Sequence, residues 1–179
     1  MKKLILLIAV LVVITIPAVI YCFNYFTIIK PVKEKLNSDV RNEGIKIDVH
    51  YKNYTQSKTL TFNLEEVKDE KAPIDVFRVL LHTANALKDK SFDKVELSFR
   101  NNLKFILKGD YFQKLGEEFG DQNPMYTLRT MPENLLDAEG NAVYGEWEGG
   151  LIGVLNKQME DFNDFNRKWY IEDSIKKEE

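Results

Sequence analysis

The first long feature along the chain is an uncharged apolar run from Leu4 to Phe23, 20 residues interrupted only by Thr15 and Pro17. As an α-helix rising about 1.5 Å per residue it is about 30 Å long, the depth of a bilayer's hydrocarbon core. Apolar residues continue through Tyr25, Phe26, Ile28 and Ile29 before Lys30 and Pro31 close the segment. Tyr21, Tyr25 and Phe26 fall at its far end, where a membrane interface favours aromatic rings. The pattern predicts a transmembrane anchor, with Leu4, Phe23 and Tyr25 among the anchor residues. A cleaved signal peptide is the competing reading, with Ile16-Pro17-Ala18 as its processing site. The apolar run extends well past Ala18, which a signal peptide does not need, and favours the uncleaved anchor. Lipid attachment at Cys22 is disfavoured by the bulky Tyr21 before it.

Beyond the anchor, Pro31 suits the first position of a helix, and Val32, Leu36 and Val40 recur every four residues before Gly44. This predicts a short stalk helix within residues 30–44. Ile45, Ile47, Val49 and Tyr51 then alternate with Lys46, Asp48, His50 and Lys52, and Leu60, Phe62 and Leu64 alternate again after a polar turn. That is a hairpin with one buried face. Pro73 opens an amphipathic helix with Ile74, Phe77, Leu81, Ala84 and Leu87 on one side and Arg78, His82, Asn85 and Asp89 on the other. In a second hairpin Val95, Leu97 and Phe99 face Leu103, Phe105 and Leu107. A three-residue loop, Arg100-Asn101-Asn102, aligns all six on one face, pairing Phe99 with Leu103.

Asp110 is placed to cap a short helix carrying Phe112, Leu115 and Phe119, stopped by Gly120. Met125–Met131, between two prolines, reads as a strand, and another short strand runs through Val143 and Tyr144. The last helix carries Leu151, Leu155, Met159, Phe162, Phe165 and Trp169 on one stripe, with Lys157–Asp161 and Asp164–Lys168 as pairs on the wet side. The expected fold is α+β: an N-terminal transmembrane helix followed by one domain whose mainly antiparallel sheet, two hairpins plus C-terminal strands, packs against helices. The expected divisions are 1–29 for the cytoplasmic tip and anchor, 30–44 for the stalk, 45–171 for the domain and 172–179 for a charged flexible tail.

Charge narrows the partners. The net charge is −3, and all 28 acidic residues follow the apolar block while two of the 25 Lys and Arg precede it. The domain is therefore more acidic than the whole chain and offers no basic stripe for a phosphate backbone, which argues against nucleic acid. Cys22 is the single cysteine and lies in the apolar block, so the domain has no disulfide and no cysteine chemistry. Lys2 and Lys3 precede the span while Lys30, Lys33, Lys35 and Arg41 follow it. Long domains translocate largely regardless of charge, so the expected orientation leaves the short basic tip inside and the domain outside the cytoplasm.

Candidate chemistry concentrates in Gly145-Glu146-Trp147-Glu148-Gly149-Gly150. Glu146 and Glu148 flank an aromatic face, and Gly149 and Gly150 lead into a helix. The stretch, Glu146 to Gly150, is the candidate binding site for a small ligand or saccharide, and more weakly the source of a hydrolase carboxylate. Against this, it lacks the Lys-Ser/Thr of a phosphate-binding loop, and a tight turn with a core tryptophan and two exposed acids explains it as well. His50 and His82 sit on polar faces of separate elements, without metal-ligand spacing, and are expected at the surface. No pattern calls for a metal or cofactor. The leading functional expectation is a non-catalytic envelope protein whose partners are the lipid bilayer and another membrane or envelope protein.

Overall fold

The computed structural model describes residues 2–176, with the side-chain environments of residues 4–10, 12 and 14 outside its description. Lys177–Glu179, the end of the expected tail, lie outside the described residues. Helix α1 (Lys2–Asn24) passes through a single π-helical turn (Tyr25–Ile29) into α2 (Lys30–Asn37), with helical backbone angles at both joints. The helix expected to start afresh at Pro31 is therefore a continuation of the first. Pro31 has no N–H, and in a regular α-helix its ring would strike the carbonyl four residues earlier. The wider π turn just ahead of it relieves that contact and lets the helix continue.

The sheet has five strands in the order β1 (Ile45–Lys52), β2 (Gln56–Val67), β3 (Lys94–Phe99), β4 (Asn102–Lys108) and β5 (Leu135–Leu136). It is mixed, because β2 and β3 run parallel while the other neighbours are antiparallel. The expectation of two hairpins holds. What joins them is helix α3 (Pro73–Ala86), which carries the chain back along the sheet so that β3 starts at the same end as β2. No glycine loop follows β2, so this strand–helix–strand unit has no phosphate cradle.

The β3–β4 turn is tighter than expected. Arg100 and Asn101 both have positive φ, 48° and 67°, the geometry of a two-residue hairpin turn. Phe99 pairs with Asn102, and a bulge at Lys104 restores the pairs Leu97–Phe105 and Val95–Leu107. The apolar alternation was thus met by bulging one strand rather than by lengthening the loop. Met125–Met131 is not a strand: Pro124–Thr130 forms helix α5, with the Asn123 side chain accepting from the Met125 N–H at its start. Asn-Pro is a helix-opening pair, and that capping chemistry outweighs the β-branched content of the segment. In place of a strand through Val143 and Tyr144 there is one isolated bridge, Leu136 to Ala142.

Helices α3, α4 (Gly109–Glu117) and α6 (Leu151–Asn166) contribute to one continuous core. Leu60, Phe62, Leu64, Val95, Leu97 and Phe99 supply the sheet side, and Phe77, Leu80, Phe112, Phe162, Phe165 and Trp169 the helical side. Trp169 stacks on Phe165, lies 5.9 Å from Phe62 by ring centroids, and donates its indole N–H to the Ser98 carbonyl. A second π turn, Arg167–Ile171, keeps both Trp169 and Tyr170 buried before α7 (Glu172–Ile175). The expected stripe on α6 is buried only in its second half: Leu151 is 74% exposed. The Asp164–Lys168 pair forms at 2.7 Å, while Lys157 pairs with Glu160 instead of Asp161.

Two glycines permit close backbone approach. A Cβ at Gly109 would lie 1.9 Å from the Phe92 carbonyl oxygen, and one at Gly116 2.3 Å from that of Ala84, where α4 crosses α3. By contrast Gly153, near the start of α6, has open space around it. Gly116→Ala is therefore expected to destabilise the fold by about 1–3 kcal/mol through overpacking, and Gly153→Ala to stay within about 0.5 kcal/mol or gain slightly. Denaturant unfolding of the two variants in detergent checks the contrast.

Candidate functional site

The junction between the long helix and the domain is the most elaborated polar feature of the chain. One helix face carries Asn24, Ile28 and Val32, all buried, followed by the half-buried Leu36. Twelve residues of regular α-helix turn about 1200°, which would swing Leu36 about 120° away from Asn24. The π turn inserts roughly one residue without adding rotation, and brings the four back onto one face. Asn24 then uses its whole amide. Its Oδ1 accepts from the Tyr51 backbone N–H at 3.0 Å, and its Nδ2 donates to the carbonyls of Ile20 and Tyr54 at 3.0 and 2.7 Å. One side chain thus ties the helix to the end of β1 and to the β1–β2 turn.

That turn takes two non-glycine residues into positive φ, Asn53 at 51° and Tyr54 at 60°. Its tip, Asn53 to Thr55, borders a shallow apolar recess against Pro17, Ile20 and Tyr21. The Tyr54 ring stacks on His50 at 4.3 Å between centroids. Tyr21, Phe23, Tyr25 and Phe26 remain exposed around the helix at this level. Phe23 and Tyr25, expected as anchor residues, therefore lie at the collar where helix and domain meet. Leu4 lies on α1, and its side chain is outside the described residues. The stretch Thr15–Asn37 is long and apolar enough, by length and composition, to cross a membrane.

A second polar cluster lies one turn beyond the helix end. His82, expected at the surface, is buried. Its Nδ1 is 3.1 Å from the Asn42 amide nitrogen, and its Nε2 is 3.8 Å from an Asp39 oxygen. Asn42 accepts from Arg78 Nε on its other atom, so the amide nitrogen faces the ring and the imidazole proton sits on Nε2. The polar stripe of α3 is covered because the segment after α2 folds across it, an arrangement that helical periodicity alone does not disclose. An apolar cleft of about 320 Å³ lies alongside, lined by Phe77, Leu81, Leu115 and Phe119 together with Arg41 and Arg78.

Burial, reinforced by the Lys35 charge, holds the His82 imidazole below its ordinary pKa, with Asp39 pulling weakly the other way. The folded state therefore resists taking up this proton. Stability is full above the ordinary value of 6.5 and is lost as pH falls through it toward the depressed folded value. Asp39 and Asp75, held low in the folded state, lose their contributions only near and below the usual carboxylate range. Unfolding measured at pH 7.5 and 5.5 is expected to show lower stability at 5.5, and His82→Gln to flatten the difference.

The third feature is a groove of about 600 Å³ between α2 and β1, an edge strand of the sheet. Ile29, Val32, Leu36, Ile47, Val49 and Val79 form its apolar lining, and Lys33, Glu43, Asp48 and Glu65 are among its polar residues. Nothing in the alternation of β1 distinguishes an edge strand from an inner one, so sequence reasoning did not find this groove.

The candidate ligand segment lies elsewhere, strapped to the outer side of α6. Tyr144 donates its hydroxyl to Asp164 at 2.9 Å, and Trp147 donates its indole N–H to Asp161 at 2.6 Å. Lys157 Nζ stands 5.7 Å from the Trp147 ring centroid. Trp147 is 40% exposed, and Glu146, Glu148, Gly149 and Gly150 are exposed beside it. The two carboxylates face solvent without the desolvated pocket that acid–base work requires. Among the described residues no group of three or more His, Cys, Asp or Glu is placed to hold a metal ion.

Loss of the Asn24 amide tests the junction. Asn24→Leu leaves the Tyr51 N–H without its partner in a buried position and is expected to cost about 1–3 kcal/mol. Faster hydrogen exchange at the Tyr51 amide is the local readout. No protein-family model, no curated protein and no solved structure matches the chain.

Proposed function

We propose that this protein is a single-pass membrane-anchored domain, held outside the cytoplasm, that acts by contacting another membrane or envelope protein and not by catalysis. The observation that carries the reading is the continuous helix from Lys2 to Asn37, apolar in its first part, where Leu11, Val13, Ile16 and Val19 are exposed, and built into the core in its second. Exposed Leu11, Val13, Ile16 and Val19 are costly in water and favourable in lipid. The aromatic collar of Tyr21, Tyr25 and Tyr54 has the amphipathic chemistry of a headgroup boundary. With Lys2 and Lys3 inside, the helix delivers the domain directly onto the outer surface. A non-catalytic role accords with polar clusters whose groups are spent on one another, such as Asn42 with His82 and Arg78.

Extraction decides the anchor. Membranes carrying the full chain are expected to retain it through an alkaline carbonate wash, and protease added outside is expected to digest the domain. Release of intact protein by the wash, or a mature chain beginning at Val19, overturns the reading.

A further inference from the structure

We propose that the groove between α2 and the free edge of β1 is a strand-docking site that takes an extended, cationic segment of a partner protein. The direction of the backbone groups follows from the junction. Tyr51 donates its N–H to Asn24, on the helix, and so faces away from β2. In an antiparallel pair, outward-facing residues alternate with those that bond the neighbour. Val49 and Ile47 share the phase of Tyr51 and pair opposite Phe62 and Leu64, in unbroken register from Ile47 to Tyr51. The N–H and C=O of Ile47 and Val49 therefore point into the groove. Among the described residues no hydrogen bond outside the ladder reaches them.

Both ends of this edge are closed. Asn24 takes the Tyr51 N–H, and a bulge between Lys46 and Ile47, with Glu65 as the extra residue on β2, breaks the ladder at the other end. Such devices normally protect an entire edge against strand addition. Here they bracket a short unpaired window, half-buried at Ile47 and buried at Val49, with an apolar floor, the arrangement in which an extended peptide adds a strand beside a helix.

The charges select the occupant. Of the ionisable groups around the groove, Lys46 pairs with Glu66 and Asp39 with Arg41. Among the described residues Glu43 and Glu65 form no ion pair, and Asp48 faces only His50, at 3.5 Å. Lys33 is the opposing cation on the helix side. The remaining field is acidic, so the complementary strand alternates apolar residues with Lys or Arg. This inference rests on the contact-protein reading but not on the anchor: carbonate extraction can fail with groove binding intact, and the reverse.

The test uses the full chain in neutral detergent micelles and a fluorescein-labelled Lys-Val repeat peptide, with a Glu-Val repeat and a Lys-Pro repeat as controls. Saturable binding of the Lys-Val peptide alone is expected, with amide exchange at Ile47 and Val49 slowed about ten-fold or more and that at Asp48 and His50 unchanged. Val49→Pro, which removes an outward N–H but no ladder bond, is expected to weaken binding about ten-fold. Should that variant fail to fold, the surface reversal E43K/E65K is expected to weaken it by a similar factor. Absence of saturable binding, equal binding of either control, or binding without protection at Ile47 and Val49 overturns the proposal. So does protection at these amides that rises with protein concentration in the absence of peptide, which would make the occupant a second copy of the chain.

Discussion

Asn24 is fully buried at the point where the apolar helix meets the domain, and its amide satisfies one backbone donor and two backbone acceptors. A polar group in such a place is expensive unless completely partnered, and each of its partners would be left costly by its loss. The bonds exist in one relative placement of helix, β1 and hairpin turn only. Everything else about the junction follows from that placement: Ile28 and Val32 meet the core, the hairpin tip comes beside Pro17 and Ile20, and the edge of β1 comes to face α2. The apolar contacts supply most of the energy, while the amide supplies the direction.

The sheet shows how a local pattern and a chain path divide the work. Alternation along β1 to β4 selects which residues face the helices, and the pairs Leu97–Phe105 and Val95–Leu107 match it. The parallel meeting of β2 and β3 comes from α3, whose length returns the chain to the starting end of the sheet. Periodicity describes a face; it carries no information about which strands become neighbours.

Much of the fold was legible for that reason, and the site much less so. The apolar helix, both hairpins, α3 and the second half of α6 are long periodic elements, and burial of one face determines them. Met125–Met131 misled because seven residues hold too little periodicity to outweigh the capping pair Asn123-Pro124. His82 misled because its cover, Asp39 to Asn42, comes from a segment 40 residues away in sequence. Trp147 drew attention by composition, yet its indole N–H is held by Asp161 on the outer surface of α6. Nothing local marks Asn24, a single polar residue within a long apolar stretch, as the tie to β1, and the groove beside it depends on strand order, which no local pattern encodes.

The π turn at Tyr25–Ile29 has a further consequence, for how the molecule is aimed. Since the helix runs into the core without a flexible hinge, the compass bearing of the domain around the helix axis is written in the number of residues between Ile20 and Val32. Dropping one of them would leave hydropathy and span length almost untouched. Taken from the regular helix with the π turn kept, the loss would nonetheless turn the upstream helix by about 100° against the hairpin tip, whereas taken from the π turn it would restore a regular α-helix and leave the bearing unchanged. Insertions and deletions in the regular helix beside the π turn act as a rotary adjustment, separate from the apolar length of the helix and from the fold itself.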